Sequence, residues 1–303
     1  MARPALAASR AIDILNFMAA TPSRGYSLTQ LVQALELNPA SCHALLGAMT
    51  RDGYLTRAQR GRTYRLGPAL IAIGQGALLC HPLVAAAREE MAIMARALDL
   101  DSLLTARVDD RLIALACDGP GRQPALRVGQ RVPLIPPLGT PFLAWGEAKE
   151  VDEWVARAPD HIDAERLRQS LTVVRTRGYA VTLRSEAQGA VGQAVIDLAE
   201  MPHAGERQKE AAARIRQMGE DYLMIESHPD RLHHVGLISA PVFDGDGKVA
   251  GTLSLHGFDR PLSLSRIAGL GQAVMRHARA ATDEVAGTAA GNGQEVGESE
   301  CAG

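Results

Sequence analysis

The stretch Ser27-Leu-Thr-Gln-Leu-Val-Gln-Ala-Leu-Glu-Leu-Asn-Pro-Ala-Ser-Cys-His-Ala-Leu-Leu-Gly-Ala-Met49 contains two helical patterns with almost no chain between them. In each pattern the apolar residues follow the i, i+3, i+4, i+7 spacing of a helix that packs on one side. The spacing is met twice, by Leu28, Leu31, Val32 and Leu35 and then by Cys42, Leu45, Leu46 and Met49. Asn38 can cap the second helix, and Pro39 suits its first turn. Two helices joined so tightly predict a helix-turn-helix.

The flanking residues extend this unit on both sides. A further helix is expected from Ser9 to Ala20, with Ser9 as its cap and with Ile12, Leu15 and Met18 on its buried face. After Gly53 the pattern alternates, and Leu55–Arg57 can pair with Thr63–Leu66 around a basic turn. Three helices and a basic hairpin predict a winged helix, whose third helix enters the major groove while the hairpin follows the phosphates.

The outward face of the third helix is poor in long side chains. Ala40, Ala44 and Gly47 offer no side-chain donors, so base contacts are expected from Ser41 and His43. The alternative is a structural or dimerisation unit that binds no DNA. The candidate DNA-binding residues are Ser27, Thr29, Asn38, Ser41, His43, Arg51, Arg57, Arg60, Arg62 and Thr63.

Composition narrows the class of protein. A chain of 303 residues is expected to hold two domains. Residues 1–70 carry eight arginines and three acidic residues, whereas the rest carries 24 basic and 31 acidic residues, a division typical of a nucleic-acid binder with a separate partner domain. Its four cysteines are not closely spaced, and we find no secretory segment or long apolar run. We therefore expect a cytoplasmic protein that has no membrane span and binds no metal.

The second part of the chain alternates helical and strand patterns. A helical linker is expected at 69–80, and strands at 102–108 and 111–117 flank an Asp-Asp turn. Helices are expected at 84–98, 151–158, 163–177 and 263–285, with another hairpin turning on 244–247. Strand pairs framed by helices predict an α+β domain with a central antiparallel sheet.

One strand pattern indicates a binding site. Between Gly251 and His256, alternation places Thr252, Ser254 and His256 on one face and the intervening leucines on the other. A mostly apolar pocket with hydroxyls and one imidazole suits a small carboxylate or an aromatic acid. The alternative is that these polar side chains simply face water.

Several motifs resemble those of the isocitrate lyase regulator (IclR) family, over about residues 9–283. In the N-terminal part these are Tyr26-Ser-Leu-Thr-Gln-Leu-Val32, Arg51-Asp-Gly-Tyr-Leu-Thr-Arg57 and Arg62-Thr-Tyr-Arg-Leu-Gly67. Further along they are Val128-Gly-Gln-Arg-Val-Pro-Leu134, Gly139-Thr-Pro-Phe-Leu-Ala144, Arg177-Gly-Tyr-Ala180, Leu237-Ile-Ser-Ala-Pro-Val-Phe-Asp244 and Gly251-Thr-Leu-Ser-Leu-His-Gly257. The family module usually has a Lys or polar residue where Pro39 stands, and an Arg where Ala44 stands. About forty extra residues lie between Ala180 and Val235.

The resemblance implies a transcriptional regulator with a GAF/PAS-like C-terminal effector domain and no cofactor. It also implies a homodimer or tetramer on a palindromic double-stranded DNA operator. The implied effector contacts, taken with the strand pattern, are Leu138, Gly139, Thr140, Val235, Leu237, Ser239, Ser254 and His256. The expected divisions are a winged helix-turn-helix at 1–67, a linker helix at 68–82, an effector domain at 83–283 and a disordered tail at 284–303.

Two other classes of protein stay open from the residues alone. One is a small-molecule-binding enzyme, although the sequence has no nucleophile elbow, phosphate-binding loop or metalloprotease motif and no catalytic residue is assigned. The only cluster of potential metal ligands is Glu226, His228, Asp230, His233 and His234, which is more often just a surface loop. The other class is a stand-alone sensor that does not bind DNA.

Overall fold

The computed structural model of the chain describes residues 5–19, 21–59, 62–121, 126, 128–159, 162–184, 223–225 and 231–295. Within these ranges the helices are α1 (Leu6–Ala19), α2 (Leu28–Ala34), α3 (Pro39–Arg51), α4 (Ala69–Leu79), α5 (Pro82–Leu98), α6 (Thr140–Leu143), α7 (Ala148–Val155), α8 (Ala164–Arg177) and α9 (Leu264–Glu295). The strands are β1 (Tyr26–Ser27), β2 (Leu55–Arg57), β3 (Thr63–Leu66), β4 (Asp101–Val108), β5 (Arg111–Asp118), β6 (Arg131–Pro133), β7 (Ala180–Leu183), β8 (Val235–Phe243) and β9 (Val249–His256).

The N-terminal part is a winged helix-turn-helix, as predicted. Strands β2 and β3 form the expected hairpin, with Leu55 opposite Leu66 and Arg57 opposite Tyr64. Strand β1 adds a third strand to the sheet, in the order β1-β3-β2. This strand was not predicted, because two residues are too few to show a periodicity. The module's buried core is Ile14, Met18, Tyr26, Leu31, Leu35, Cys42, Leu46, Met49, Leu55 and Tyr64.

The first helix differs from its prediction at the N-terminal end. It begins at Leu6, so Ser9 lies inside it and is not the cap. Ile12 is 52% exposed, whereas Ile14 and Met18 are buried. Together with Ala11 and Leu15 these two residues form the i, i+3, i+4, i+7 stripe that packs on the core. The predicted buried face of this helix was therefore wrong for Ile12, which lies on the solvent-facing side.

Helix α4 links this module to the rest of the chain and has no buried residue. Among the described residues, no single helix is long and apolar enough to cross a membrane. The pair Ala69–Leu79 and Leu83–Leu98 passes that test only when taken together, and it is bent by 96°. Helix α5 contributes buried residues such as Met91 and Met94 to the core.

The C-terminal part is built on a six-stranded sheet in the order β6-β5-β4-β9-β8-β7, with antiparallel pairing throughout. Helices α5 and α9 pack on one face, where Leu104, Ile238, Leu253 and Leu255 are fully or almost fully buried. The segment from β6 to α8 forms a second core with residues such as Leu134, Phe142 and Trp154. This arrangement confirms the predicted α+β class.

Two helices of the C-terminal part, α7 and α9, depart from their predicted ranges. Helix α7 begins at Ala148 rather than Val151, because Glu147 and Glu150 form a reciprocal capping box that fixes the start. Helix α9 continues to Glu295, so residues 284–295 are helical and are not the disordered segment that their composition predicted. Extending an existing helix costs much less than nucleating one, so weak helix formers can continue it. Residues 296–303 lie outside the described part of the chain.

Candidate functional sites

Helix α3 presents a polar and small-residue face to solvent. Its stripe of Cys42, Leu46 and Met49 is buried in the module, and burial raises the pKa of the Cys42 thiol. The opposite side holds the exposed residues Pro39, Ala40, His43, Ala44, Gly47 and Arg51, with Ser41 half-buried at its edge. The residues of the predicted recognition surface are thus exposed or at the edge of one exposed face, and their contact with base edges stays a prediction.

Two of the candidate polar residues cap helices. The Ser27 hydroxyl oxygen accepts from the backbone N–H of Gln30 at 3.3 Å, in a capping box. The Asn38 side-chain oxygen accepts from the N–H groups of Ala40 at 3.0 Å and Ser41 at 3.2 Å. Capping uses only the oxygens, so the Ser27 hydroxyl proton and the Asn38 amide protons stay available to an external acceptor.

Two arginines of the winged helix lie over tyrosine rings, one at each edge of its sheet. The Arg57 guanidinium lies 5.6 Å from the ring centroid of buried Tyr64. At the other edge of the sheet, Arg24 lies 4.9 Å from the ring centroid of buried Tyr26. Such stacking limits the motion of a guanidinium and leaves its N–H groups free to bind. Sequence analysis missed Arg24, because it stands in a loop and its tyrosine partner is two residues further on.

The tip of the wing is described only in part. Arg62 is exposed and has a positive φ of 47°, which turns the chain into β3. Thr63 is half-buried and pairs with Ser27 of β1. Thr29 is exposed on α2, and Arg51 of α3 makes a solvent-exposed ion pair with Asp52 at 3.3 Å. The predicted phosphate contact Arg60 lies outside the described residues.

A second polar cluster lies inside the six-stranded sheet, on the face away from α5 and α9. Ser239 of β8 stands opposite Ser254 of β9, and their hydroxyl oxygens are 2.7 Å apart. Both residues are buried, as is His256 two positions after Ser254. Helix α6 packs against β8 and β9. The polar face of β9 is therefore enclosed by protein and does not face water.

A second hydroxyl pair continues this cluster. Thr105 of β4 is the cross-strand neighbour of Thr252 of β9, and their hydroxyl oxygens are 2.7 Å apart. Both side chains are buried. In each hydroxyl pair one O–H donates to its partner, so the partner's O–H can still serve a ligand. Thr105 was missed by sequence analysis, because only the pairing of β4 with β9 brings it to the site. We call these four residues and His256 the cup.

A buried carboxylate borders the cup. Asp101 stands opposite His256 in the pairing of β4 with β9. One carboxylate oxygen accepts the backbone N–H of Gly121 at 2.5 Å. Burial raises the pKa of the Cys117 thiol, and the negative charge of Asp101 raises it further. Cys117 is therefore a poor thiolate at neutral pH, and its thiol donates to the carbonyl of Leu126 at 3.3 Å.

The predicted loop Leu138–Thr140 is a tightly held turn ahead of α6. The Thr140 hydroxyl donates to the carbonyl of Pro137 at 2.8 Å, and the Trp154 ring N–H donates to the carbonyl of Leu138 at 3.0 Å. Gly139 has a φ of 85°, and a side chain there would collide with Leu134. Glycine is thus the residue that this turn requires.

Two residues of the predicted effector set differ in position from the rest. Leu237 is half-buried, and its backbone N–H donates to the Thr182 hydroxyl at 2.8 Å. Val235 packs in the helix-facing core and not with Ser239, contrary to the simple alternation of the strand. The pairing of β7 with β8 shifts register between Thr182 and Leu183, and this irregularity alters the face that Val235 presents.

The proposed cluster of metal ligands is not assembled in the described residues. His233 is buried with no hydrogen-bond partner for its Nε2 atom, whereas the neighbouring His234 is exposed. Glu226, His228 and Asp230 lie outside the described ranges. Across the part of the chain that the structure describes, no three His, Cys, Asp or Glu residues are placed to hold a metal ion.

A family model matches the N-terminal module, and solved structures are similar to nearly the whole chain. Residues 7–59 match the model of the IclR helix-turn-helix domain. No curated protein sequence matches the chain significantly. An IclR transcriptional regulator from Alicyclobacillus acidocaldarius is 20% identical with a TM-score of 0.64, and the alignment covers 93% of this chain and 100% of that one.

Two further solved structures have the same fold. The IclR protein of Thermotoga maritima is 16% identical with a TM-score of 0.58, over 92% of this chain and 98% of that one. An IclR homologue from Microbacterium hydrocarbonoxydans, complexed with 4-hydroxybenzoate, is 14% identical with a TM-score of 0.62, over 92% and 98% of the two chains. At these identities the likeness establishes the fold alone, over the aligned part of the chain.

Proposed function

We propose that this chain is a DNA-binding transcriptional regulator of the IclR family, whose helix-turn-helix model matches residues 7–59. It would bind a palindromic operator with α3 and the β2–β3 wing, and a small organic acid would control that binding. The observation that carries the proposal is the exposed, small-residue face of α3 beside the stacked arginine of the wing. Members of the family are transcription factors and not enzymes. A regulator of this kind acts on DNA in the cytoplasm and needs no membrane or cofactor.

Phosphate contacts would come from the wing and from the start of α3. Arg57 and Arg62 are exposed, and each can neutralise a phosphate and release about one counterion. The amide protons of Asn38 are placed to donate to a further phosphate at the helix start. The exposed ion pair of Arg51 with Asp52 is weak in water, so it would open readily toward DNA.

Base contacts would be few. His43 is exposed on α3 and Ser41 lies at its edge, while their neighbours Ala44 and Gly47 have no donors. Each good direct contact contributes roughly 1–3 kcal/mol of discrimination. The operator would therefore be selected partly by shape.

Salt titration of DNA binding tests the DNA-binding part. We expect Arg57→Ala with Arg62→Ala to weaken binding to all sequences alike and to flatten the salt slope by about two. The matched control is Arg96→Ala with Arg260→Ala, two exposed arginines of the C-terminal part. If the wild-type chain were not retained on DNA at low salt, the sensor without DNA binding would be the better assignment.

The cup would hold the effector beneath the Leu138–Thr140 turn. Ser254, Ser239 and His256 provide donors, and Thr105 and Thr252 extend them along the strand. Residues about two positions apart on a strand lie roughly 7 Å from each other, so an acid with a second polar group at its far end suits the cup. The apolar part of the ligand would contact Leu138 and Leu237.

Calorimetry with 4-hydroxybenzoate as the first probe tests the cup. A lost hydrogen bond to a charged ligand costs roughly 1.5–3 kcal/mol, so Ser254→Ala and His256→Ala should each weaken binding about tenfold or more. Ser265→Ala, which removes an exposed hydroxyl of α9, should have no effect. Unchanged affinity in both cup variants would place the site elsewhere. Other benzoates and small 2-oxo acids are the next probes.

Self-association would use α4. This helix has no charged residue and no buried one, and it exposes Ile71 (68%), Ile73 (50%) and Leu79 (86%). An apolar helix so exposed is typical of a surface that another copy covers. We expect Ile71→Glu with Leu79→Glu to shift the protein to monomers in analytical ultracentrifugation. Val108→Glu, at an exposed valine of the effector domain, is the control.

A further inference from the structure

One contact joins the DNA-binding module to the sheet domain close to the cup. Ala19 is the last residue of α1, and Gly129 lies in a turn just ahead of β6. A Cβ atom placed on Gly129 would lie 3.6 Å from the Cβ atom of Ala19. Gly129 itself has no Cβ atom, so its backbone lies at most one C–C bond length beyond that distance from Ala19; we call this close approach of the two segments the Ala19–Gly129 contact.

On the DNA side, this contact leads directly into the core of the winged helix. Ala19 follows Met18, which is 1% exposed. Helix α1 packs on strand β3 of the wing, and Met18 and Tyr64 share one core. Because α1 and the wing share a close-packed core that resists deformation, a displacement at the end of α1 moves the winged helix as a unit.

On the sheet side, the contact connects to the floor of the cup in two steps. The Gly129 N–H donates to the carbonyl of Ala114 at 2.7 Å, and the Ala114 N–H donates to the carbonyl of Gln130 at 3.0 Å. Ala114 is the cross-strand neighbour of Thr105, whose hydroxyl contacts Thr252. The Gly129 turn is thus fixed by backbone hydrogen bonds to β5, the strand beside β4, which carries Thr105 of the cup.

We propose that the Ala19–Gly129 contact is the mechanical joint through which occupancy of the cup changes the position of the winged helix. The proposal rests on the proposed function, an operator binder controlled by an effector. A ligand that pulls on Thr105 and Thr252 moves β4 and the Ala114 hydrogen bonds, and the Gly129 turn carries that movement to α1. Both binding sites then bias one element, which is the physical requirement for coupling.

A disulfide trap tests the joint. Disulfides need Cβ atoms about 3.5–4.5 Å apart, so Ala19→Cys with Gly129→Cys should close within one chain under mild oxidation. The background is the full-length protein with Cys80, Cys117 and Cys301 replaced by serine, which leaves the buried Cys42. Matched controls are Ala19→Ser with Gly129→Cys and Ala19→Cys with Gly129→Ser. They contain the same backbone change at Gly129, which has a φ of 84°, but they cannot cross-link.

The readouts separate the joint from DNA binding itself. Thiol titration and peptide mapping report the cross-link without any DNA. The affinity for DNA from upstream of the chain's own gene is then measured in the oxidised and reduced forms. We expect a change of at least about tenfold that dithiothreitol reverses, as coupling energies in this class typically give, and no such change in the controls.

Two outcomes overturn the proposal. Failure of the cross-link to form, while both controls fold with wild-type circular dichroism, would show that the segments do not meet. A complete cross-link with DNA affinity unchanged within twofold would show that the contact is passive. If the reduced protein and the wild type both failed to bind DNA, the proposed function would be wrong, and with it the joint that rests on it.

Discussion

The two faces of the six-stranded sheet are equally buried but chemically different. The face under α5 and α9 is apolar, with Leu253, Leu255 and Ile238 all 0% exposed. The other face of the same strands holds the hydroxyl pairs Thr105–Thr252 and Ser239–Ser254 and a buried imidazole. Apolar side chains would fill that face at a smaller cost in desolvation, because buried polar groups must find partners. The difference supports the proposal that the first face stabilises the domain and the second face binds a ligand.

The largest expected effect belongs to the helix-facing side. Leu253→Ala removes a fully buried side chain and should lower the free energy of unfolding by about 2–5 kcal/mol. Denaturation in urea, followed by circular dichroism, measures it. Val108→Ala, at a 54% exposed position of β4, should change stability by less than about 0.5 kcal/mol. Equal losses at both positions would contradict the division between the faces.

A smaller effect is expected from the hydroxyl pair. Thr105→Val leaves the buried Thr252 hydroxyl without its partner, which should cost about 1–3 kcal/mol of unfolding free energy. Because Thr105→Val with Thr252→Val removes both polar groups and retains the shape, the double variant should recover most of that loss. A double-mutant cycle in urea gives the coupling energy. Additive losses would mean that the two hydroxyls do not depend on each other.

The smallest effect concerns the acid beside the cup. The charge of Asp101 adds to burial in raising the pKa of the Cys117 thiol. Asp101→Asn removes the charge and therefore lowers the pKa of the Cys117 thiol. At pH values below that pKa, a larger fraction of Cys117 is then thiolate. We expect alkylation of Cys117 by iodoacetamide at pH 8 to become faster, by less than about tenfold. Peptide mass spectrometry separates Cys117 from the other cysteines. An unchanged rate would place the carboxylate too far away to act.

The sequence predicted the winged helix more closely than the cup. Residues of α2, α3 and the β2–β3 hairpin contact neighbours only a few positions away, so their periodicity already contains the packing. The α1 stripe was shifted to include Ile12, because composition alone gave no sign that the helix starts at Leu6. Sequence analysis also missed the start of α7 at the Glu147 capping box and the extension of α9 to Glu295. In both places helix and loop compete locally, and the apolar periodicity does not report which of the two forms.

For the cup, the alternation of β9 was enough to put Ser254 and His256 on one side. The alternation could not show whether that side is exposed to water. The packing of α6 against β8 and β9 buries it. The alternation also could not bring in Thr105, which is 147 positions away from Thr252 in the chain. For Val235 the alternation of β8 predicted the wrong face of the sheet. The pairing with β7 shifts register there, and Val235 packs in the helix-facing core.

By itself, then, the sequence determined the local elements, the basic N-terminal module and the resemblance to a family of DNA-binding regulators, because helix and turn preferences act over a few residues. The tertiary structure alone decided which polar side chains share a buried face, which arginines stack on tyrosines and where α1 meets the turn at Gly129. Those features depend on strand order and on contacts between distant segments. No local pattern records them, since the entropy of bringing such segments together is overcome only when the whole core packs.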